Sequence, residues 1–329
     1  MRRSWGGGAL GRGGVTAMAV ALVAVGCLQA GEPEAAAAGG QVPADTTAGS
    51  GAGGWYAADW EAFSSRVRAG LDQGWDTLPL GATVAAVGRT FVGTPYVPQT
   101  LEAPGPEGLV INFRGLDCVT FVETALATAY FLHQPDGAVI LGRRREAEAR
   151  YEGILTRIRY RGGVLEGYGS RLHYFSDWIA DGVAKGLMVE ITPSLAGAAR
   201  DATPVSFMSR HPEAYPRLDG SPDMVDAIRG TEERLSAAGR WVVPEDRLQP
   251  TMEGIEDGDV IAVTSTVDGL DVAHTGLALW VDGRLHLMHA PLVGDSVEIS
   301  TEPLSQRVRR IGSQDGVMVA RPCPREGPC

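Results

Sequence analysis

The spacing of hydrophobic residues changes along the chain, from a helical period to a strand period near residue 259. Between residues 55 and 73, apolar side chains recur at helical spacing (Trp60, Phe63, Val67, Leu71), which predicts an amphipathic helix. Further helices are predicted over residues 83–91, 117–132, 143–160 and 177–185. The 117–132 segment is apolar on nearly every face, which is typical of a buried helix.

From residue 259 onward, apolar and polar residues alternate with the period of two that indicates strands. Strands are predicted over residues 260–264, 275–281, 284–288, 297–300 and 316–321, with an earlier short strand over 109–113. Residues 194–250 are predicted to be an irregular insertion with one helix over 222–238. Helices followed by an antiparallel sheet indicate an α+β fold in a single domain covering residues 55–329.

The N-terminal segment has the features of an export signal. Arg2 and Arg3 precede an apolar stretch that is too short to span a bilayer, and residues 1–30 are therefore predicted to be a signal peptide. Cys27 follows Ala24-Val25-Gly26 in the manner of a lipoprotein processing site, so lipidation at Cys27 is expected; ordinary cleavage near Ala30 is the alternative. Residues 31–54 contain few large side chains and are expected to be a flexible linker.

Export predicts a periplasmic or cell-envelope location and makes the cysteines informative. Cys323 and Cys329 are close enough in sequence to form a disulfide in an oxidising compartment. Cys118 is then the cysteine without an assigned role, and a free thiol is expected there. A buried apolar cysteine is the alternative interpretation. The net charge of -11 argues against nucleic acid or anionic lipid as a partner, which leaves an N-terminal lipid anchor as the expected membrane contact.

The residues around Cys118 favour a reactive thiol. Asp117 is a good N-cap, which places Cys118 at the first position of the buried helix. Unpaired N–H groups and the helix dipole favour negative charge at that position and lower the pKa of a thiol.

A base for this thiol is predicted on a late hairpin. Asp282-Gly283 is a two-residue hairpin turn, which pairs Val281 with Arg284 and Leu279 with His286 and brings Gly276 opposite His289. His274 and His289 are then diagonal neighbours on one face, at roughly 7–8 Å between Cα atoms. A set of Cys118, His274 and His289 follows, in which His289 orients the base. His286 points the other way and is expected to be structural, although a one-residue register error would exchange the two roles.

Other chemistry finds little support in the sequence. There is no His-Glu-x-x-His motif, and Gly167-Tyr168-Gly169-Ser170-Arg171 lacks the closing glycine of a nucleophile elbow. A phosphate-binding loop and a dinucleotide fingerprint are also absent from the sequence. No metal or other cofactor is expected.

Several motifs occur in one order, and together they resemble a known family. They are Gly-Thr-Pro-Tyr at 93–96, Asp-Cys-Val-Thr-Phe-Val-Glu at 117–123, Ser-Arg-Leu-His-Tyr-Phe-Ser-Asp-Trp-Ile at 170–179, Phe-Met-Ser-Arg-His-Pro at 207–212, His-Thr-Gly-Leu-Ala at 274–278 and Leu-His-Leu-Met-His-Ala at 285–290. The chain resembles the N-acetylmuramoyl-L-alanine amidase-like branch of the NlpC-type papain-like cysteine peptidase superfamily over about residues 80 to 323.

This resemblance implies a papain-like α+β fold, in which a catalytic helix packs on an antiparallel sheet with helical insertions. It also implies hydrolysis of the amide between N-acetylmuramic acid and L-alanine in peptidoglycan or muropeptides. By position, Cys118 would be the nucleophile, His274 the base and His289 the orienter. Tyr96 and Asp117 would line the cleft, and Arg171, His173 and Tyr174 would contact substrate; a packed structural turn is the alternative for residues 170–179.

Three other functions remain open from sequence. An endopeptidase of the same superfamily would cut between D-glutamate and the diamino acid of the stem peptide with the same chemistry. A non-catalytic envelope lipoprotein would bind glycan fragments. A transglutaminase-like or acyltransferase activity would use the same residues with an amine acceptor.

Overall fold

The structure is a computed structural model that describes residues 54–102 and 105–324. Nine α-helices lie within these residues, and most of them are in the first half. They are α1 (Ala57–Asp72), α2 (Leu80–Arg89), α3 (Cys118–Leu132), α4 (Gly137–Leu141), α5 (Arg144–Arg159), α6 (Phe175–Ala184), α7 (Phe207–Arg210), α8 (Pro222–Ala238) and α9 (Leu304–Arg310).

The strands form one antiparallel sheet. They are β1 (Met188–Glu190), β2 (Ala199–Asp201), β3 (Arg240–Pro244), β4 (Val260–Ser265), β5 (Val272–Val281), β6 (Arg284–His289), β7 (Glu298–Ile299) and β8 (Gln314–Pro322). Their order is β2-β3-β8-β4-β5-β6-β7, and β1 also pairs with β8. The protein is therefore a mixed α+β fold with an antiparallel sheet, as the sequence predicts.

Helix α3 lies at the centre of the main core. All of its residues except Val119 are buried, and it packs against α2, α5 and strand β5. The same core takes Leu277 and Met288 from one face of the sheet. A second cluster covers the other face, where Leu304 and Val308 of α9 pack on it. Each large apolar side chain buried in this way contributes about 1.5–3 kcal/mol relative to exposure.

The predicted hairpin register is confirmed. Val281 pairs with Arg284 and Leu279 with His286. Asp282 and Gly283 have φ of 48° and 72°, and positive φ at both central residues defines the type I′ turn that such a dipeptide favours.

Most predicted helices and strands are present within a few residues, but residues 109–113 are not a strand. Their backbone groups bond to side chains instead of to a neighbouring strand: the Phe113 amide donates to Asp59 and the Val110 carbonyl accepts from Arg159. Residues 194–250 are also more regular than predicted, because β2 and β3 extend the sheet on the far side of β8. Strand β1 and helix α9 had no prediction, since neither is long enough to show a clear period.

Some sequence predictions lie outside the described residues. These are the signal peptide at 1–30, nearly all of the linker at 31–54, lipidation at Cys27, and the Cys329 half of the predicted disulfide. Within residues 54–102 and 105–324, no helix combines the length and the apolar character needed to cross a bilayer.

A buried ion pair ties α3 to α5. Arg159 Nε lies 2.7 Å from Glu123 Oε2, and both side chains are at most 3% exposed. Arg159 also donates to the Val110 carbonyl at 2.8 Å, and Trp178 donates to Glu123 at 3.3 Å. We expect Glu123→Gln to lower the free energy of unfolding by about 3–5 kcal/mol, because it leaves a buried guanidinium without its counter-charge. Urea denaturation monitored by circular dichroism measures this change.

Glu146→Gln is the matched control. Glu146 pairs with Arg143 at 3.2 Å, but both side chains are more than half exposed, and water replaces the partner when the pair is broken. Its effect should stay within about 0.5 kcal/mol. Equal effects of the two substitutions would contradict a structural role for the buried pair.

Candidate active site

A cavity of about 70 Å³ lies where the N-terminus of α3 meets the start of β5. Residues 117–119, 171–175 and 270–275 line it, together with Gln99, Leu101, Glu102, Glu123, Arg159, Met208 and Tyr215. Successive strand residues point to opposite faces, so a cavity lined by six consecutive residues lies at the end of the strand. The β4–β5 ladder also shifts register between Val263 and Thr264, opposite residues 272–274. Such a shift re-aims nearby side chains.

A larger cavity, of about 760 Å³, opens between α3, α4 and α5. It contains no cysteine or histidine; its polar lining is chiefly Arg143, Arg150 and Arg157 with Asp136 and Glu146. The smaller cavity is the candidate active site because it holds the groups capable of nucleophilic and acid–base chemistry.

Asp117 caps α3 as predicted and fixes the position of Cys118. The Asp117 carboxylate accepts from the Thr120 amide at 2.8 Å, and the Thr120 hydroxyl accepts from the Asp117 amide at 2.9 Å. This reciprocal pair is a capping box. Burial raises the pKa of the Asp117 carboxyl, and the hydrogen bonds that the Thr120 amide and hydroxyl donate to the carboxylate oppose that rise. Cys118 is therefore the first helical residue, as expected, and it is buried.

The expectation of a free thiol at Cys118 is wrong for this structure, because Cys118 and Cys323 are both disulfide-bonded. They do not bond to each other. The Cys323 carbonyl accepts from Tyr130, which lies three helical turns along α3, about 18 Å from Cys118. Two cysteines can be bridged only when their Cα atoms are within about 7 Å. The pairing of Cys323 with Cys329 stays a prediction.

The two histidines form the predicted pair. His274 Nε2 lies 2.8 Å from His289 Nδ1, and the two rings are perpendicular with centroids 4.8 Å apart. Both side chains are buried. His274 Nδ1 is also buried and has no hydrogen-bond partner among the described residues. His274 thus lines the same cavity as Cys118 with one ring nitrogen unused and the other held by His289.

Both imidazoles are held neutral. Burial lowers the pKa of His274 well below 6.5, and the charges of Arg307 and His289 lower it further. Burial and Arg307 likewise lower the pKa of His289. Arg307 is itself buried on α9, where it donates to Gln314 at 3.1 Å. A neutral imidazole can accept a proton, as a general base must, but the same environment opposes the imidazolium that then forms.

Glu298 lies at the far end of the histidine pair and had no sequence prediction. It is directly opposite His289 in the β6–β7 ladder, and its Oε1 lies 3.7 Å from His289 Nε2. The sequence predicts a strand over 297–300 but carries no signal for its register, which would have brought Glu298 to this position. Arg307 was missed for a similar reason, because α9 had no prediction.

His286 is structural, as expected. It points away from the pair, and its Nδ1 lies 2.7 Å from the Ser300 carbonyl oxygen.

The residues expected to contact substrate all lie at or near the cavity, but most are already bonded. Arg171 donates to the Leu101 carbonyl at 2.6 Å and forms an ion pair with Glu102. His173 Nε2 lies 2.8 Å from the Tyr168 carbonyl oxygen. Tyr174 donates to Glu232 at 2.6 Å and accepts from the Met208 amide at 2.8 Å. These three residues line the cavity and also form the packed turn that was the alternative interpretation.

Tyr96 lies beside the capped helix end. It forms a bridge with Leu116, and burial, with a smaller contribution from Asp117, raises the pKa of its hydroxyl. That hydroxyl has no hydrogen-bond partner among the described residues. Among all the described residues, no group of three or more His, Cys, Asp or Glu side chains is placed to hold a metal ion.

Comparisons with known proteins agree on one family. A family model described as AmiA-like, N-acetylmuramoyl-L-alanine amidase-like, matches residues 86–314. A crystal structure of an N-acetylmuramoyl-L-alanine amidase from Bacteroides uniformis is 36% identical, with a TM-score of 0.67, over 74% of this chain and 99% of that chain. A comparison with curated proteins gives no match.

Two further solved structures are similar. A Bacteroides fragilis protein, described provisionally as a xylanase, is 39% identical, with a TM-score of 0.66, over 72% of this chain and 99% of that one. A Legionella pneumophila protein is 18% identical, with a TM-score of 0.54, over 83% of this chain and 98% of that one, and it supports the fold alone. Given the extent of the family match and the identity to the Bacteroides amidase, the chain belongs to the AmiA-like, N-acetylmuramoyl-L-alanine amidase-like family of cell-wall hydrolases.

Proposed function

We propose that this protein hydrolyses the amide between N-acetylmuramic acid and L-alanine in peptidoglycan fragments, with reduced Cys118 as the nucleophile. The observation that carries the proposal is the 2.8 Å contact between His274 and His289 beside Cys118 at one cavity. A nucleophile, a base and a group that orients the base are the parts that covalent acyl transfer needs. The proposal places the chain in the NlpC-type superfamily with a papain-like fold.

The contacts of the two rings leave Nδ1 of His274 available as the base. If His274 Nδ1 accepts the thiol proton, His274 Nε2 carries the other proton and donates it to His289 Nδ1. His289 Nδ1 must then be an acceptor, so the His289 proton is on Nε2. This pair of tautomers leaves the unpartnered Nδ1 of His274 as the basic atom.

The reaction is a two-step acyl transfer. His274 takes the proton from the Cys118 thiol, and the thiolate attacks the lactyl carbonyl carbon of the muramic acid. The tetrahedral intermediate collapses as His274 returns that proton to the amine of L-alanine, which leaves with the stem peptide. Water, deprotonated by His274, then attacks the thioester, and the thiol is released with the muramyl carboxylic acid.

The N-terminus of α3 stabilises the charges that form. The capping box uses the Thr120 amide, and the other N–H groups of the first turn are the donors that would stabilise the thiolate and the oxyanion. The helix dipole acts in the same direction.

The carboxylates of the cavity favour amide hydrolysis over cleavage of a glycosidic bond. A glycosidase needs two carboxyl groups that face each other across the bond. Each of the four that line this cavity is already engaged: Glu102 with Arg171, Asp117 with Thr120, Glu123 with Arg159, and Asp271 with the Ser176 amide.

The proposed substrate agrees with the export signal expected at residues 1–30. Peptidoglycan lies outside the cytoplasmic membrane, so we propose that the protein acts in the periplasm or cell envelope. Lipidation of Cys27 would hold it at a membrane.

Product analysis with Cys118→Ala tests the proposal. In a reducing buffer, the wild-type protein should release an intact stem peptide and free muramyl sugar from a defined muropeptide. Cys118→Ala should lower kcat by a factor on the order of 10³–10⁶, because the attacking atom is lost. Mass spectrometry of the products gives both results, and unfolding curves in the same buffer, in which neither protein has the disulfide, check that the variant folds.

Other outcomes separate the competing functions. A sugar product that retains L-Ala-D-Glu would identify the endopeptidase instead. Products that appear only with an added amine would indicate a transglutaminase-like or acyltransferase activity. Binding of the muropeptide without turnover by the wild type would indicate a non-catalytic glycan-binding protein.

Activity should depend on reduction of Cys118. A sulfur atom in a disulfide is neither a thiolate nor a base-activated thiol, so protein purified under oxidising conditions should be at least tenfold less active than protein treated with a phosphine reductant. Thiol titration with an aromatic disulfide should show the gain in activity in step with the appearance of a thiol at Cys118. Cys323→Ser is the control, because it removes the other disulfide-bonded cysteine of the described residues, and it should keep the same response.

Substitutions of His289 test its orienting role. His289→Asn offers an amide oxygen that can accept from His274 Nε2, whereas His289→Leu offers no acceptor. We expect kcat to fall about 10-fold for the asparagine variant and 10³-fold or more for the leucine variant, with smaller changes in KM. Equal losses in the two variants would show that His289 does not act through this hydrogen bond.

A further inference from the structure

We propose that Glu298 is a fourth member of the catalytic set, a positioning residue that fixes the tautomer of His289 and offsets the positive charge formed on His274. This inference rests on the proposed function, because it assigns Glu298 a role in the same reaction. The geometry that carries it is the juxtaposition of Glu298 and His289 at the end of the histidine pair.

The tautomer pattern requires an acceptor at this position. When His289 Nδ1 accepts from His274, the proton of His289 lies on Nε2. That nitrogen is buried and has no hydrogen-bond partner among the described residues. A buried donor without an acceptor costs about 1–3 kcal/mol. The nearby Glu298 Oε1, at 3.7 Å, is beyond a direct hydrogen bond but within ion-pair distance.

The Glu298 carboxylate has room to approach His289 Nε2. Its side chain is 44% exposed, so it keeps rotational freedom on the solvent side, whereas His289 is held in the sheet. Gly294 lies against it: a Cβ at that position would sit 3.3 Å from Glu298 Oε2. Gly294 has φ of 141°, a backbone conformation that side-chain-bearing residues rarely adopt. The loop before β7 therefore leaves the space that the carboxylate occupies.

Glu298 is also one of two carboxylates whose negative charge acts on Arg307, and Glu302 is the other. Arg307 of α9 lowers the pKa of His274, His289 and Glu298, and so disfavours an imidazolium at either ring. When His274 accepts the thiol proton, the new positive charge therefore needs a negative group. Glu298 supplies it through His289, while burial, opposed by Arg307, raises the pKa of its own carboxyl.

Glu298→Gln tests the proposal, since it removes the charge and keeps the size of the side chain. We expect kcat to fall about tenfold with KM nearly unchanged, because an exposed carboxylate is partly screened by water. Loss of a negative charge lowers the pKa of nearby imidazoles, and the base must be unprotonated to act, so the acidic limb of the pH–rate profile should move to lower pH. Nitrogen NMR of the histidines in the reduced protein should show the same downward pKa shift and a mixture of His289 tautomers.

Glu302→Gln is the matched control. It makes the same chemical change four residues away, at a carboxylate that pairs with Arg310 and also acts on Arg307, whereas the carboxylate beside His289 is that of Glu298. It should leave kcat, the pH–rate profile and the His289 spectrum as in the wild type. An unchanged profile and spectrum in Glu298→Gln would overturn the proposal, as would an equal shift in Glu302→Gln. Because the NMR measurement needs no turnover, a wild type without amidase activity would defeat the proposed function alone.

Discussion

The pairing of β5 with β6 in one register is the constraint on which the site depends. The turn at Asp282-Gly283 sets that register, and a shift by one residue would move every side chain of one strand to the opposite face. With the observed register, His274 and His289 meet at 2.8 Å, while His286 is turned toward Ser300. The two imidazole rings are already held in place by the packed sheet, so their contact costs little further side-chain entropy.

A second constraint is the end of helix α3. The Asp117–Thr120 capping box defines where the helix begins, and burial of nearly the whole helix prevents that end from shifting. Cys118 is therefore held at the helix N-terminus whether its sulfur is in a disulfide or reduced. The disulfide changes the chemistry of the Cys118 sulfur, whereas the cap and the core determine where Cys118 lies.

The electrostatics of the site balance two opposing groups. Burial and Arg307 keep both imidazoles neutral, which preserves an empty acceptor for the thiol proton. The same positive charge opposes the imidazolium that the reaction must form. A carboxylate at the far end of the pair relieves this conflict from a distance, without contacting the cavity. Around the cavity itself, the Glu102–Arg171 and Glu123–Arg159 pairs hold the walls and leave few unpaired charges that could compete for the proton.

The sequence by itself determined the local features: the cap before Cys118, the type I′ turn, the strand period, and hence the His274–His289 pair. Each of these depends on residues close in the chain, and local backbone preferences are strong enough to specify them. Only the tertiary structure decided that residues 109–113 bond to side chains instead of to a strand, that β3 joins the sheet, and that Arg171 and Tyr174 are tied to Glu102 and Glu232. It also brought Glu298 and Arg307 to the histidines and placed Cys118 in a disulfide. These contacts join segments far apart in the chain, and they depend on how the helices and the sheet pack together, which no local pattern records.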